Sequence, residues 1–452
     1  MQFELTKEYI SELKDCLHGD LKADLLHEVN KLHPADIADI SDELTAEEVA
    51  LLYQCLDDEI ATDVLIELEE DVRERLLRNL TPKEIAENFI DNMDSDDAAD
   101  IMAELSDEKK DEVISAITDS DLASDIVDLL LYPEDSAGGL MAKELIKVRI
   151  DWTLIKCLRE MRKQATDIEN VYTIYVVDNQ EKLIGTLSLK KLLLAPDGST
   201  VKDLYFEDVR SVKAYEMSDQ IASIMEKYDL VVLPVVDELN RLIGRITIDD
   251  IVDVIKEEAD KDYQMASGIS ESVDSSDSVR VLTRARLPWL LVGLLGGVLG
   301  ALVIGQYEDT LQIYPEMALF IPLIAAMGGN VGVQSSAIIV QGLANNSLGF
   351  SNLFQRLGKE FLVALLNGLV CSILIFIYTI IFKDSNELAA TVSIALVLVI
   401  IFAGLFGTFV PLMLDKYEID PALATGPFIT TMNDIVGLFI YFGIGHLMYL
   451  WL

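Results

Sequence analysis

Apolar positions fall into two rhythms along the chain. Before residue 280 they recur at helical or strand spacing between acids, and after residue 286 they run almost without interruption. Five stretches reach the roughly 20 apolar residues that a helix needs to cross a bilayer core. They are Leu287–Tyr307, Met317–Leu343, Phe361–Phe382, Leu388–Leu414 and Pro421–Leu452. Buried helices of soluble proteins rarely run so long without charge, so the pattern predicts an all-α transmembrane domain of five helices over 285–452.

The pattern before residue 280 predicts three further parts. Over 1–132 it gives short helices. Asp-Ile-Ala-Asp-Ile-Ser-Asp-Glu-Leu-Thr at Asp36–Thr45 returns as Asp-Ala-Ala-Asp-Ile-Met-Ala-Glu-Leu-Ser at Asp97–Ser106, with weaker echoes between them and after. Recurrence of this kind predicts stacked helix pairs, a small α-helical solenoid. Thr45-Ala-Glu-Glu reads as a helix N-cap.

Residues 133–200 and 201–248 predict a duplicated α/β module. Val176-Val177-Asp178 with Leu183-Ile184-Gly185 returns 59 residues later as Val235-Val236-Asp237 with Leu242-Ile243-Gly244. A helical run precedes each copy. This doubling resembles a tandem pair of CBS (cystathionine-β-synthase) domains. The resemblance implies an adenosine-nucleotide site built on Thr-x-x-Asp. Thr247 and Asp250 fit it, so ATP is a candidate ligand of the pair, whereas Ser188-Leu189-Lys190-Lys191 of the first copy lacks the acid.

Residues 249–284 connect this module to the first span. Asp249 to Ala266 predicts one helix, with Ile251, Val254, Ile255, Ala259 and Ala266 as its apolar stripe. Asp249, Asp253 and Glu257 share a face at i, i+4, i+8, and Glu258 pairs with Asp262 at i, i+4. Like charges at that spacing destabilise an isolated helix by a few tenths of a kcal/mol per pair. Divalent cations would offset this, and Mg²⁺ is satisfied by one or two carboxylates while it keeps several waters. A Ser-rich linker, Ser267–Ser278, follows.

Charge sharpens the division. Of 77 acids, 67 precede residue 280, and most of the formal net charge of −42 lies there. Such a surface repels nucleic acid and anionic lipid and attracts cations. The four cysteines show no metal or disulfide spacing, which agrees with reduced thiols in a cytosol. No apolar signal segment opens the chain. Arg280, Arg284 and Arg286 precede the first span, Arg356 and Lys359 lie between the second and third, and Lys416 lies between the fourth and fifth. By the positive-inside rule the N-terminus is expected in the cytoplasm and Leu452 outside, in a multi-pass protein of the plasma (inner) membrane.

Asp434 is the one charged residue inside the five apolar stretches. An acid at bilayer depth costs roughly 2.5–3.5 kcal/mol on insertion scales, which makes it a functional candidate. Asn433 precedes it, and the second stretch contributes Gly328, Gly329 and Asn330. Carbonyl and amide oxygens with a carboxylate ring are a common way to line a cation path. Five spans are few for a pore, so the expected assembly is a homodimer with one Asp434 from each chain on the axis.

The runs Pro322-Leu323-Ile324-Ala325-Ala326-Met327-Gly328-Gly329-Asn330-Val331-Gly332-Val333-Gln334-Ser335 and Asp420-Pro421-Ala422…Gly426-Pro427-Phe428-Ile429-Thr430-Thr431…Asp434-Ile435-Val436-Gly437 closely resemble the MgtE family of magnesium channels. The resemblance covers nearly the whole chain. It implies a homodimeric, Mg²⁺-selective channel that cytosolic Mg²⁺ gates closed. It also implies that Asp434 is the pore acid, that Gly328, Gly329 and Asn330 border the path, and that Asp249, Asp250, Asp253, Glu257, Glu258 and Asp262 bind sensor Mg²⁺. Asp91 and Asp94 are further candidates in the helical domain. A secondary transporter that cycles a proton on Asp434 is the main competitor. An intramembrane hydrolase fits poorly, since no second catalytic acid, zinc pattern or Gly-x-Ser-x-Gly accompanies Asp434, and no enzyme activity is expected.

Overall fold

The computed structural model describes residues 5–19, 23–166, 168, 170–196, 198–274, 277–344, 353–383, 385–424 and 426–451. It divides into two compact units, residues 1–255 and 256–452.

The first unit opens with ten short helices: α1 (Lys7–His18), α2 (Ala23–Val29), α3 (Pro34–Asp42), α4 (Ala46–Tyr53), α5 (Asp58–Glu67), α6 (Glu70–Asn79), α7 (Pro82–Asn88), α8 (Ser95–Glu104), α9 (Asp107–Ala116) and α10 (Ser120–Leu129). Capping sets several of their starts. Thr45 and Glu48 close a reciprocal capping box on α4, and Thr81 and Glu84 do the same on α7. Successive helices pack on the next but one, α3 on α5, α4 on α6, α7 on α9 and α8 on α10. This is the stacked arrangement that the repeat predicts. Arg73 of α6 forks onto Glu104 of α8, its Nε donating to Oε1 and Oε2 at 2.9 and 3.1 Å.

The α/β module follows as β1 (Ile146–Arg149), α11 (Leu154–Gln164), β2 (Ile174–Val177), β3 (Leu183–Leu187), α12 (Leu189–Leu193) and α13 (Val201–Leu204). The second copy continues with β4 (Val212–Lys213), α14 (Ser218–Tyr228), β5 (Val232–Val236) and β6 (Leu242–Thr247). Each copy builds a three-stranded sheet with one parallel and one antiparallel pair, β1-β2-β3 and β4-β5-β6. The duplicated sequence therefore encodes a duplicated topology. Its repeated Asp makes the hairpin turn. Asp178 Oδ1 accepts the N–H groups of Gln180 and Lys182, and Asp237 Oδ1 accepts those of Leu239 and Arg241. Its repeated Gly allows a close approach, since a Cβ at Gly244 would lie 2.6 Å from Met141 Sδ.

Helix α15 (Ile248–Ala266) is the connecting helix. Its apolar stripe is less covered than the spacing predicts. Ile251 is buried, but Ile255 and Ala259 are exposed in the single chain.

The second unit holds α16 (Val279–Gln306), α17 (Glu308–Ile313), α18 (Ile321–Ala344), α19 (Leu353–Lys383), α20 (Asn386–Lys416) and α21 (Pro427–Trp451), with 3₁₀ turns at Pro315–Phe320 and Pro421–Ala424. Five of these helices are long and apolar enough to cross a membrane. Helix α20 sits centrally against α18, α19 and α21, and α16 lies outside against α21. Small residues set the approach. A Cβ at Gly407 of α20 would strike the carbonyl of Gly332 on α18, so these helices touch backbone to backbone.

Candidate metal centre and pore

Two acidic centres and one membrane constellation emerge. The first centre lies at the start of α8. Oxygens of Asp94, Asp96 and Glu144 lie within 4.8 Å of one another. Local capping holds the group in place. Ser95 donates from its N to Glu144 Oε1 at 3.2 Å and from its Oγ to Oε2 at 2.8 Å, while Lys143 N donates to Ser95 Oγ at 2.9 Å. Asp250, at the start of α15, adds its charge to this group. Thr247 donates to Asp250 Oδ2 from its Oγ1 at 2.6 Å and from its N at 3.1 Å.

The electrostatics of this centre are unfavourable without a cation. Burial, then Asp97 and Asp250, pushes Asp96 well above the usual carboxylate range. Burial, then Asp250 and Asp94, pushes Asp97 up to about 7. Asp100 lies at the rim, where loss of bulk water on the cluster side and the charge of Asp250 take it to about 7. Burial also raises Asp250, against the lowering effect of its Thr247 bonds. Arg245 contributes one guanidinium, 3.6 Å from Asp94. A cluster of hard oxygens with too little positive charge fits a hydrated divalent ion.

Of the sequence candidates, Asp94 belongs to this group, Asp250 adds its charge to it, and the exposed Asp249 acts on Asp97 and Asp250. Asp91 does not join them. Its carboxylate accepts from Thr118 N at 3.0 Å, which is local capping work. Asp253, Glu257 and Glu258 are exposed on α15. Thr247 and Asp250, the ribose candidates, bond each other, and Asp250 also adds its charge to the α8 carboxylates. Sequence reasoning missed Asp96, Asp97, Asp100 and Glu144. Their motif reads as helix capping, and Glu144 is distant in sequence.

The second centre is smaller. Asp262 of α15 is half-buried, and burial followed by the charge of Asp420 raises its pKa. Asp420 caps the turn before α21, accepting from Ala422 N at 2.8 Å. Asp420 was legible only as part of a motif.

In the membrane helices, Asp434 is half-buried on α21 and Asn433 is fully buried. Gly329 packs on Thr430, with an added Cβ 3.1 Å from its Cγ2, and Gly332 meets the Asn433 amide. The Asn330 turn of α18 therefore runs beside the Thr430–Asp434 turn of α21. Gly328 and Gly329 are buried in helix contacts, Gly328 against Val399 and Asn433, so their side of α18 serves packing. Asn330 is exposed.

Asp434 is not the only acid inside these helices. Helix α19 starts at Leu353, eight positions before the apolar run, and so includes Glu360, to whose Oε1 Ser335 Oγ of α18 donates at 2.7 Å. Glu360 escaped notice because it lies one residue before the apolar run.

Comparisons with known proteins agree with this architecture. Residues 321–444 match a family model described as MgtE, divalent cation transporter. Residues 32–135 match the MgtE intracellular N domain, and 137–198 and 201–257 match CBS domains. Magnesium transporter MgtE of Bacillus subtilis is 34% identical over 420 residues, covering 92% of each chain. Magnesium transporter MgtE of Thermus thermophilus is 35% identical over 322 residues, covering 71% of each. A crystal structure of the cytosolic domain of the Mg²⁺ channel MgtE in complex with ATP is 32% identical, with a TM-score of 0.51, and covers 54% of this chain and 99% of that one. A helical domain, a CBS pair and five apolar helices in one order, matched along nearly their whole length, place this chain in the MgtE family, a family of transporters and not of enzymes.

Proposed function

We propose that the chain conducts Mg²⁺ across the plasma membrane as a homodimeric channel, closed by Mg²⁺ from the cytosolic side. The carrying observation is the outward face of α18. Pro322, Ala326, Asn330, Gln334 and Gln341 are exposed along one stripe of that helix. Amides at membrane depth are costly against lipid and are satisfied against water or a second copy. The stripe runs beside the turn of α21 that bears Asp434, so two copies meeting there enclose a path lined by Asn330 and Asp434. Paired carboxylates offset the charge of a hydrated Mg²⁺ without stripping its waters. The relatives named as magnesium transporters support the choice of ion.

The sensors are the Asp94–Asp96–Glu144 group with Asp97, Asp100, Asp249 and Asp250, and the Asp262–Asp420 pair. Asp253, Glu257 and Glu258 line the exposed face of α15, where a second copy completes their coordination. A cation shifts the population only if it binds one state better, and here it favours the compact state in which the carboxylates meet. The N-terminal unit faces the cytosol and the C-terminus lies outside. ATP is taken by the CBS pair at Thr247 and Asp250, a reading supported by the ATP complex of the solved relative.

Reconstituted vesicles test the proposal. Asp434→Asn abolishes Mg²⁺ flux while the protein elutes and melts as wild type. Neutralising Asp97, Asp100 and Asp250 together leaves flux intact but raises the Mg²⁺ needed for closure. Undiminished flux in Asp434→Asn removes that residue from the path, and unchanged inhibition in the triple variant moves the sensor elsewhere.

A further inference from the structure

We infer that Arg280 and Arg284 hold the phosphate of an anionic phospholipid of the cytosolic leaflet, with an acyl chain along Leu287, Pro288 and Leu291. The proposal takes only the orientation of the first span from the functional reading above and is independent of the ion conducted. Three observations carry it.

The first is depth. Helix α16 has 28 residues, about 42 Å at 1.5 Å per residue, against a hydrocarbon core of about 30 Å. Its opening turns, with Arg280, Arg284 and Arg286, therefore lie at headgroup level.

The second is the face. Val279, Arg280, Thr283, Arg284, Leu287, Pro288 and Leu291 lie along one side of α16. Its apolar members are open, Val279 at 80% and Leu291 at 55% exposure. This face thus presents guanidinium groups at the headgroup end and hydrocarbon toward the bilayer centre.

The third is charge. In a chain of 77 acids, only Glu271 forms an ion pair with these three arginines among the described residues, 3.2 Å from Arg284 Nε. Arg280 and Arg284 are one turn apart, and like charges there disfavour the helix unless an anion bridges them. Guanidinium groups recognise phosphate oxygens by paired hydrogen bonds. The acidic surface of the N-terminal unit repels an anionic leaflet, whereas this short basic segment attracts it.

Glu271 gives the site a built-in competitor. Its linker docks on α16 through Ser270 N donating to the Ala285 carbonyl at 2.9 Å and through the Glu271–Arg284 pair. A lipid phosphate on Arg284 displaces Glu271 and loosens the linker there.

The test is native mass spectrometry of the full-length protein from nanodiscs of mixed phosphatidylglycerol and phosphatidylcholine. At about fivefold for each arginine, wild type retains phosphatidylglycerol about 25-fold over phosphatidylcholine. Arg280→Gln/Arg284→Gln brings the ratio near unity, and Glu271→Gln raises it severalfold. Equal retention of the two lipids by wild type overturns the proposal, as does an unchanged ratio in the double variant. If the double variant does not fold, a ratio in Glu271→Gln no higher than wild type overturns it instead. A Thr283→Cys protein with its native cysteines replaced by Ser that cross-links chain to chain in phosphatidylglycerol discs also overturns it, because a second copy then covers this face. Magnesium flux enters none of these readouts, so failure here is separable from failure of the channel reading.

Discussion

The carbonyl oxygen of Ala266 lies so near Gly426 that a Cβ on that glycine would sit 2.5 Å from it. The end of α15 therefore abuts the start of α21, the helix that bears Asp434. Gly268 makes the matching approach, with an added Cβ 2.6 Å from Pro427 Cγ, and both glycines have positive φ, 81° and 58°. A side chain at either position meets both a left-handed backbone and a neighbour.

Gly426→Ala is expected to separate α15 from α21. The left-handed conformation alone costs a non-glycine residue roughly 1–2 kcal/mol. The melting temperature should fall, and the Mg²⁺ dependence of closure should weaken while flux at low Mg²⁺ persists. Thermal unfolding and vesicle flux on one preparation check both parts, and wild-type closure would argue against this junction as a route of control.

The acidic centre on α8 makes stability depend on pH in a set direction. Burial, then the charges of Asp250 and Asp94, push Asp97 from 3.8 up to about 7 in the folded protein. Between those values the folded protein holds protons that the unfolded chain has released. Stability is therefore greatest below the window, falls as pH rises through it, and levels off above about 7. Without divalent ions, the melting temperature should drop by about 5 °C from about pH 6 to about pH 8. Added Mg²⁺ should restore it at the higher pH, and Asp97→Asn should flatten the slope. A slope of opposite sign would remove this cluster as a source of strain.

Asn433 is fully buried, and neither side-chain amide atom has a hydrogen-bond partner among the described residues. A buried unsatisfied polar group costs about 1–3 kcal/mol, and an apolar replacement of similar size relieves that cost. Asn433→Leu should raise the melting temperature by a few degrees and lower Mg²⁺ flux about tenfold. The amide then serves a state in which it gains a partner. A stable variant with full flux would make it a packing residue only.

Large-scale order was written plainly in the sequence because hydropathy and repetition encode it. The five spans needed only uninterrupted apolar length, and the paired sheets needed only Val-Val-Asp and Leu-Ile-Gly returning at one interval. Asp434 stood out because its surroundings are apolar. The α8 centre was illegible for the opposite reason. Asp96, Asp97 and Asp100 sit among dozens of acids, and their partners Glu144 and Asp250 arrive only through folding. Asp420 and Glu360 were hidden at element edges, one in a cap and one just before an apolar run. The glycines of α18 shared a motif with Asn330, yet helix geometry sends Gly328 and Gly329 inward and Asn330 outward.

The backbone weld between Gly332 and Gly407 has a mechanical result. With no side chain between them to change rotamer, α18 and α20 have little slack to absorb a relative shift, so they are expected to move together. In the dimeric path proposed above, dilation would then be concentrated at the outward face of α18, and a blocker designed as a wedge should be aimed at that face and not at the interior of the protomer.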